Sequence, residues 1–212
     1  TASAISFRIA RDASTDATAR MAQAAGATVH SFDRNQGKGG AMHWGVMHAQ
    51  YPVILFVDGD MDGISLNVIR GVITPVSSGV YDMFVGIRKR NSILLNTAIR
   101  FLPMLSGLRA IKKSFWEDIP KQYRTGYGIE TVLNYFCRYT NRKVGYSVFA
   151  EVRHKIKEDK YGFLMGARRR LVMHRQICAI YWRLYFLHQF DNLQRRAVRK
   201  ILAFWNQLSD AP

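Results

Sequence analysis

Three carboxylates, Asp58, Asp60 and Asp62, crowd one short stretch, Val57-Asp58-Gly59-Asp60-Met61-Asp62. Carboxylates this close repel one another unless a cation neutralises them. Hard divalent cations, Mg2+ or Mn2+, take oxygen ligands and usually bridge a few carboxylates to substrate phosphates. A cation held there would also neutralise a departing diphosphate. A solvated acidic turn is the alternative reading. A helix-loop-helix calcium site fits poorly, because a strand precedes the cluster. Position 12 of a loop begun at Asp58 is moreover Ile69, where such a loop requires Glu.

The elements around the cluster must hold it in place. Val53–Val57 is a continuous apolar run rich in β-branched residues and reads as a buried parallel strand. In open α/β sheets, ligands bind outside the carboxyl ends of strands, which is where the acidic turn lies. Ile5–Ile9 and Thr28–Phe32 read as short strands, with an Ala-rich helix from Thr18 to Ala25 between them, stopped by Gly26. Asn35–Gly40 reads as a turn and Ala41 to Ala49 as a helix. A helix from Ser65 to Val72, a strand over Tyr81–Ile87, a helix from Ile93 to Phe101 and a short strand over Gly107–Ile111 follow. A helix from Ile129 to Tyr139 and a strand over Val144–Val152 complete the alternation. The pattern predicts an α/β sandwich with a mostly parallel sheet flanked by helices. From about Tyr161 the strand signal disappears, and basic, aromatic, helix-like sequence takes over. Residues 1–160 are therefore expected to form one domain and residues 161–212 a basic amphipathic helical segment.

The formal net charge is +16, with a sequence pI near 10.2. Nucleic acid, anionic lipid and nucleotide diphosphates are all partners such a charge attracts; a basic but inert surface is the bland alternative. A nucleic-acid module would bind with steep salt dependence, but no recognised nucleic-acid motif is present, so no specific nucleic-acid partner is expected. Cys137 and Cys178 are the only cysteines; they give neither a disulfide framework nor zinc spacing, which fits a reduced, cytoplasmic setting. No run of about 20 apolar residues lacks a charge.

Asp12-Ala13-Ser14-Thr15-Asp16-Ala17-Thr18, Asn35-Gln36-Gly37-Lys38-Gly39-Gly40-Ala41 with Gly45, and the Val57–Asp62 cluster resemble successive motifs of family 2 glycosyltransferases, in order and spacing. Gly107-Leu108-Arg109-Ala110 and Gly126-Tyr127-Gly128-Ile129-Glu130 resemble the same family. Within it the likeness is greatest to polyprenyl-phosphate sugar synthases, and it spans roughly Ala4 to Gly162. The resemblance implies a GT-A, Rossmann-like fold and a metal-dependent hexosyltransferase. Asp12 would sit near the nucleotide base or ribose. Asn35 and Lys38 would border the nucleotide pocket, with Gly59 beside the donor. Asp58 and Asp60 would form the metal pair, joined by Asp62 where relatives often carry Gln. Arg109 and Glu130 would lie near the sugar and acceptor, in catalytic or structural roles. The family begins with a strand and a Pro-Ala-Tyr-Asn-Glu-like turn that does not stand before Ile5. The expected first strand is thus absent, which leaves a degenerate or split homologue as an alternative.

Arg153-His154-Lys155-Ile156-Lys157-Glu158-Asp159-Lys160 supplies cations suited to phosphate oxygens. By resemblance, His154, Lys155 and Lys160 are candidates for the acceptor phosphate or donor diphosphate, and His154 alternatively for the metal. A mobile charged surface is the competing reading. Arg168-Arg169-Arg170, Arg175, Arg183, Arg195, Arg196, Arg199 and Lys200 stand among Trp, Tyr, Phe and Leu. Such a face suits an interfacial helix on anionic lipid, or helices packed on the catalytic domain with a basic outer side. The expected reaction moves a sugar from a nucleotide-diphosphate sugar to a lipid phosphate at the cytoplasmic membrane face. A small soluble or glycan hydroxyl acceptor is the alternative, and it would require a general base, for which Asp118 and Glu130 are the candidates.

Overall fold

The computed structural model describes residues 8–12, 18–32, 36–89, 106–126, 128–154, 175 and 178–188. The expected helix from Ile93 to Phe101 lies outside the described residues, as do Asn35, Lys155, Lys160 and the side chains of Asp12 and His154. β1 (Arg8–Asp12) pairs in parallel with β2 (Thr28–Phe32), and α1 (Thr18–Ala24) connects them. α2 (Gly37–Met47) leads to β3 (Val53–Phe56), and the two-residue strand β4 (Met61–Asp62) follows. α3 (Leu66–Ser77), β5 (Met83–Arg88), β6 (Arg109–Lys112) and α4 (Lys113–Asp118) come next. α5 (Ile129–Tyr139), β7 (Val144–Phe149) and the short β8 (Arg153–His154) complete the order. Residues 178–182 are α-helical and pass into a π-helical turn, Arg183–His188.

The main sheet has the order β3-β6-β5-β7. β3, β5 and β7 run the same way, while β6 runs antiparallel to both of its neighbours. The α/β layering is the expected one, and the sheet is mixed. β1 and β2 form a separate two-stranded sheet.

Period-two alternation splits the core into two layers. On β5, Met83, Val85 and Ile87 face one side with Ile111, against Val46 of α2, Phe115 and Trp116 of α4, and Ile129, Val132, Leu133 and Phe136 of α5. Phe84, Leu108 and Ala110 face the other side, against Val68, Val72 and Val76 of α3. The spacing of those valines places them on one helix face, and each burial contributes about 1.5–3 kcal/mol. No described helix is long and apolar enough to cross a membrane.

α2 begins four residues earlier than the sequence suggests. The Gly37–Gly40 run is its first turn, not a loop. Gly39 shows why glycine stands there. A Cβ on it would lie 2.8 Å from the Arg124 carbonyl oxygen and from the Thr125 carbonyl carbon. The bare backbone lets its N–H donate to the Gly126 carbonyl at 2.8 Å.

Candidate active site

β3 delivers the chain to the acidic turn, and both ends of that turn are fastened. The Met61 N–H donates to the Asp58 carbonyl at 3.1 Å. β4 pairs antiparallel with β8, Met61 opposite His154 and Asp62 opposite Arg153. The backbone of His154 thus stands beside the acidic turn. Gly63, at φ 73°, leaves no room for a side chain: its Cβ would meet the Glu151 carbonyl oxygen at 1.9 Å. Ser65 caps α3 by accepting from the Val68 N–H at 3.3 Å, and its hydroxyl donates to Glu151 Oε1 at 3.2 Å.

Three of the residues singled out by sequence converge from three elements. Lys38, in the first turn of α2, places Nζ 2.6 Å from Asp58 Oδ1. The same ammonium donates to Glu130 Oε1, in the first turn of α5. Burial disfavours the charged lysine, but Glu130 and Asp58 outweigh it and raise its pKa above the ordinary lysine value. Arg109 lies beneath, fully buried. Its Nε and Nη2 donate to the Ser106 carbonyl at 2.9 and 2.7 Å. Burial pushes its pKa down, while Glu130 and Asp58 favour its charge. Two cations and two carboxylates therefore compensate one another.

Asp60 is half-buried at the tip of the turn, and Asp62 is exposed on β4. Among the described residues, no group of three or more His, Cys, Asp or Glu is gathered to hold an ion. Asp12 closes β1, opposite Phe32 of β2. Asp118, one of the two expected base candidates, is tied to Arg142.

Sequence reasoning missed the parts that hold Lys38 and Glu130 together. Trp116 Nε1 donates to His43 Nδ1 at 3.2 Å, joining α4 to α2. Arg124 Nε and Nη2 donate to the carbonyls of Ile119 and Glu117 at 2.6 and 2.8 Å, fixing the loop that Gly39 packs against. The signal available for that loop was the glycine run itself, which reads as a turn.

In the C-terminal segment, Leu184 is fully buried in the core, and Ile180 packs on Gly128, whose Cβ would lie 2.3 Å from Ile180 Cδ1. Trp182 and Phe186 face outward, 59% and 57% exposed, with ring centroids 4.2 Å apart.

The family model described as Glycosyl transferase family 2 matches residues 7–150. Comparison with curated proteins gives no match. Similar solved structures include glucosyl-3-phosphoglycerate synthase from Mycobacterium tuberculosis in complex with phosphoglyceric acid, 19% identical with a TM-score of 0.65 over 84% of this chain and 68% of that one. Its complex with Mn2+, UDP-glucose and phosphoglyceric acid is 19% identical with a TM-score of 0.65, over 82% and 66%. The complex with Mn2+, UDP and glucosyl-3-phosphoglycerate gives 19% and 0.67, over 84% and 68%. This chain spans about two thirds of the length of those structures. At that identity the likeness concerns the fold.

Proposed function

The chain belongs to glycosyl transferase family 2, and on that premise we propose that it moves a sugar from a nucleotide-diphosphate sugar to a phosphate-bearing acceptor with the help of Mg2+ or Mn2+. The observation that carries this reading is Lys38 bridging Asp58 and Glu130 at the carboxyl end of β3. The donor set suits such an ion. A divalent cation shared with substrate needs only one or two carboxylates plus phosphate oxygens, and Asp58 and Asp60 supply that pair without a third protein ligand. When bound, the ion supplies charge neutralisation to the diphosphate leaving group. Lys38 holds Asp58 in orientation and adds positive charge beside the donor. Glu130 orients Lys38 in turn, and the buried Arg109 keeps positive potential beneath both carboxylates. An acceptor phosphate is already anionic at neutral pH and needs little help from a base. A hydroxyl acceptor would call on Glu130, which Lys38 joins to Asp58 in the site.

Our finer reading is a polyprenyl phosphate acceptor at the cytoplasmic face of a membrane. Support comes from the outward pair of Trp182 and Phe186, from exposed Arg175 and Arg183, and from the Arg168-Arg169-Arg170 run. Aromatic groups beside cations suit an anionic lipid surface. A soluble phosphorylated acceptor is the second reading, favoured by the phosphoglyceric acid named with the similar structures.

The test is sugar turnover by the full chain with UDP-glucose and other nucleotide sugars. Polyprenyl phosphate in anionic vesicles and 3-phosphoglycerate serve as acceptors, with and without a chelator. We expect chelator-sensitive transfer to lipid, lowered on the order of 10²–10³-fold in Asp60→Ala. Chelator-insensitive transfer, or full activity in Asp60→Ala, removes the metal role. Transfer to 3-phosphoglycerate alone selects the second acceptor, and no turnover of any donor ends the enzymatic reading.

A further inference from the structure

The residues just before β6 form a turn stapled to β5. The Ser106 hydroxyl donates to the Gly86 carbonyl at 2.6 Å and accepts from the Leu108 N–H at 3.3 Å. The Gly86 N–H donates to the Leu108 carbonyl at 2.9 Å. From below, Arg109 grips the Ser106 carbonyl with two N–H groups. The product of this bracing is the bare Cα face of Gly107, buried beneath the Asp58 carboxylate. A Cβ built there would lie 1.9 Å from Asp58 Oδ2, 2.0 Å from Cγ and 2.3 Å from Oδ1. No carbon approaches a carboxylate so closely, so the Asp58 carboxylate rests directly on bare backbone. The Lys38 ammonium meets the same carboxylate, 2.6 Å from Oδ1.

We propose that Gly107 is the platform that positions the Asp58 carboxylate against Lys38, and that Arg109 is a positioning residue acting through Ser106 to hold that platform in place. Any side chain at 107 evicts the carboxylate from the seat in which it meets Lys38, because a Cβ there would overlap all three carboxylate atoms. Gly107→Ala is therefore a remote way of moving Asp58. The consequence for sugar transfer rests on the glycosyltransferase reading; the geometric claim does not.

A double-mutant cycle on the full chain separates the two. Thermal unfolding is compared for wild type, Gly107→Ala, Asp58→Ala and the double variant. Gly107→Ala is expected to lower Tm by about 3–6 °C when Asp58 is present, as overpacking does. With Asp58→Ala the same change is expected to cost under ~1 °C. An equal shift in both backgrounds, whether zero or complete failure to fold, overturns the platform. In sugar transfer, Gly107→Ala should fall to the level of Asp58→Ala, with the double variant no lower. Arg109→Lys keeps the charge but loses the fork, so it should reduce transfer only while Asp58 is present; additive losses with Asp58→Ala would refute its positioning role. A wild type that transfers no sugar sinks the enzymatic reading alone, because the Tm cycle still decides the platform.

Discussion

Lys38 joins the acidic turn to α5, so its removal takes away the ammonium that Asp58 and Glu130 share. The side-chain exposures of 26%, 28% and 13% put these pairs between a surface pair, worth roughly 0–1 kcal/mol, and a buried pair, where removing one partner costs about 3–5 kcal/mol. Lys38→Met should cost about 2 kcal/mol, a Tm drop of roughly 4–8 °C, and adding Glu130→Gln should recover part of it. Thermal unfolding of the three proteins checks this; an unchanged Tm in Lys38→Met would show that the pairs stabilise nothing. At this scale the sequence was informative where chemistry is local. Asp58 and Asp60 stand out because an apolar strand ends in them, although that strand is half-buried and pairs antiparallel with β6 where the apolar run suggested a buried parallel one. Lys38 and Glu130 drew attention only through a family pattern, and nothing local announces that an ammonium donates to a carboxylate 92 positions away. Gly107 reads as an ordinary strand residue, since its use is visible only from the carboxylate above it.

α2 shows how one residue type serves two purposes that a sequence does not distinguish. Gly39 and Gly40 look like turn residues but are helical, and their bareness serves close approach. Gly45, on the same helix, has nothing within 4 Å of its Cβ position. The two should respond oppositely to alanine. Gly39→Ala drives a methyl into the backbone at Arg124 and Thr125 and should destabilise by about 1–3 kcal/mol. Gly45→Ala should stabilise by roughly 0.5–1 kcal/mol through helix propensity. Chemical denaturation of both variants distinguishes them, and a shared direction would contradict the packing described for α2. Strand existence was legible from apolar runs, but the direction of β6 was not. A strand-helix alternation favours parallel neighbours, whereas orientation depends on which strands pair, a long-range property that Arg109–Lys112 does not carry in its own composition.

At the scale of the whole molecule, two groups among the described residues contribute to the response to acid. Burial, with Arg124 and Lys121 nearby, lowers the His43 pKa below its ordinary 6.5. The native state therefore prefers neutral His43. Its contribution is complete above 6.5 and declines as pH falls from there through the folded value. Asp82 acts in a second, lower window. Burial raises its pKa, but hydrogen bonds from Lys112 and the Lys143 N–H, with the charges of Lys112 and Arg142, outweigh that and bring it below 3.8. Its contribution is full above 3.8 and is lost as pH falls through the folded value. Stability measured against pH should thus decline in two steps. His43→Gln should flatten only the step that begins near 6.5, and a slope there unchanged by that substitution would exclude the His43 assignment.

Among the described residues, the fold is fastened unevenly. β5 and β6 have partners on both sides, whereas β1 and β2 pair only with each other and lean on α2. Partial openings follow the seams where few bonds must break. The section ending in Asp12 can therefore loosen while the braced section around Asp58, Glu130 and Arg109 stays closed. A ligand touching both sections would stitch them together, and the firmness of the smaller one would then track occupancy.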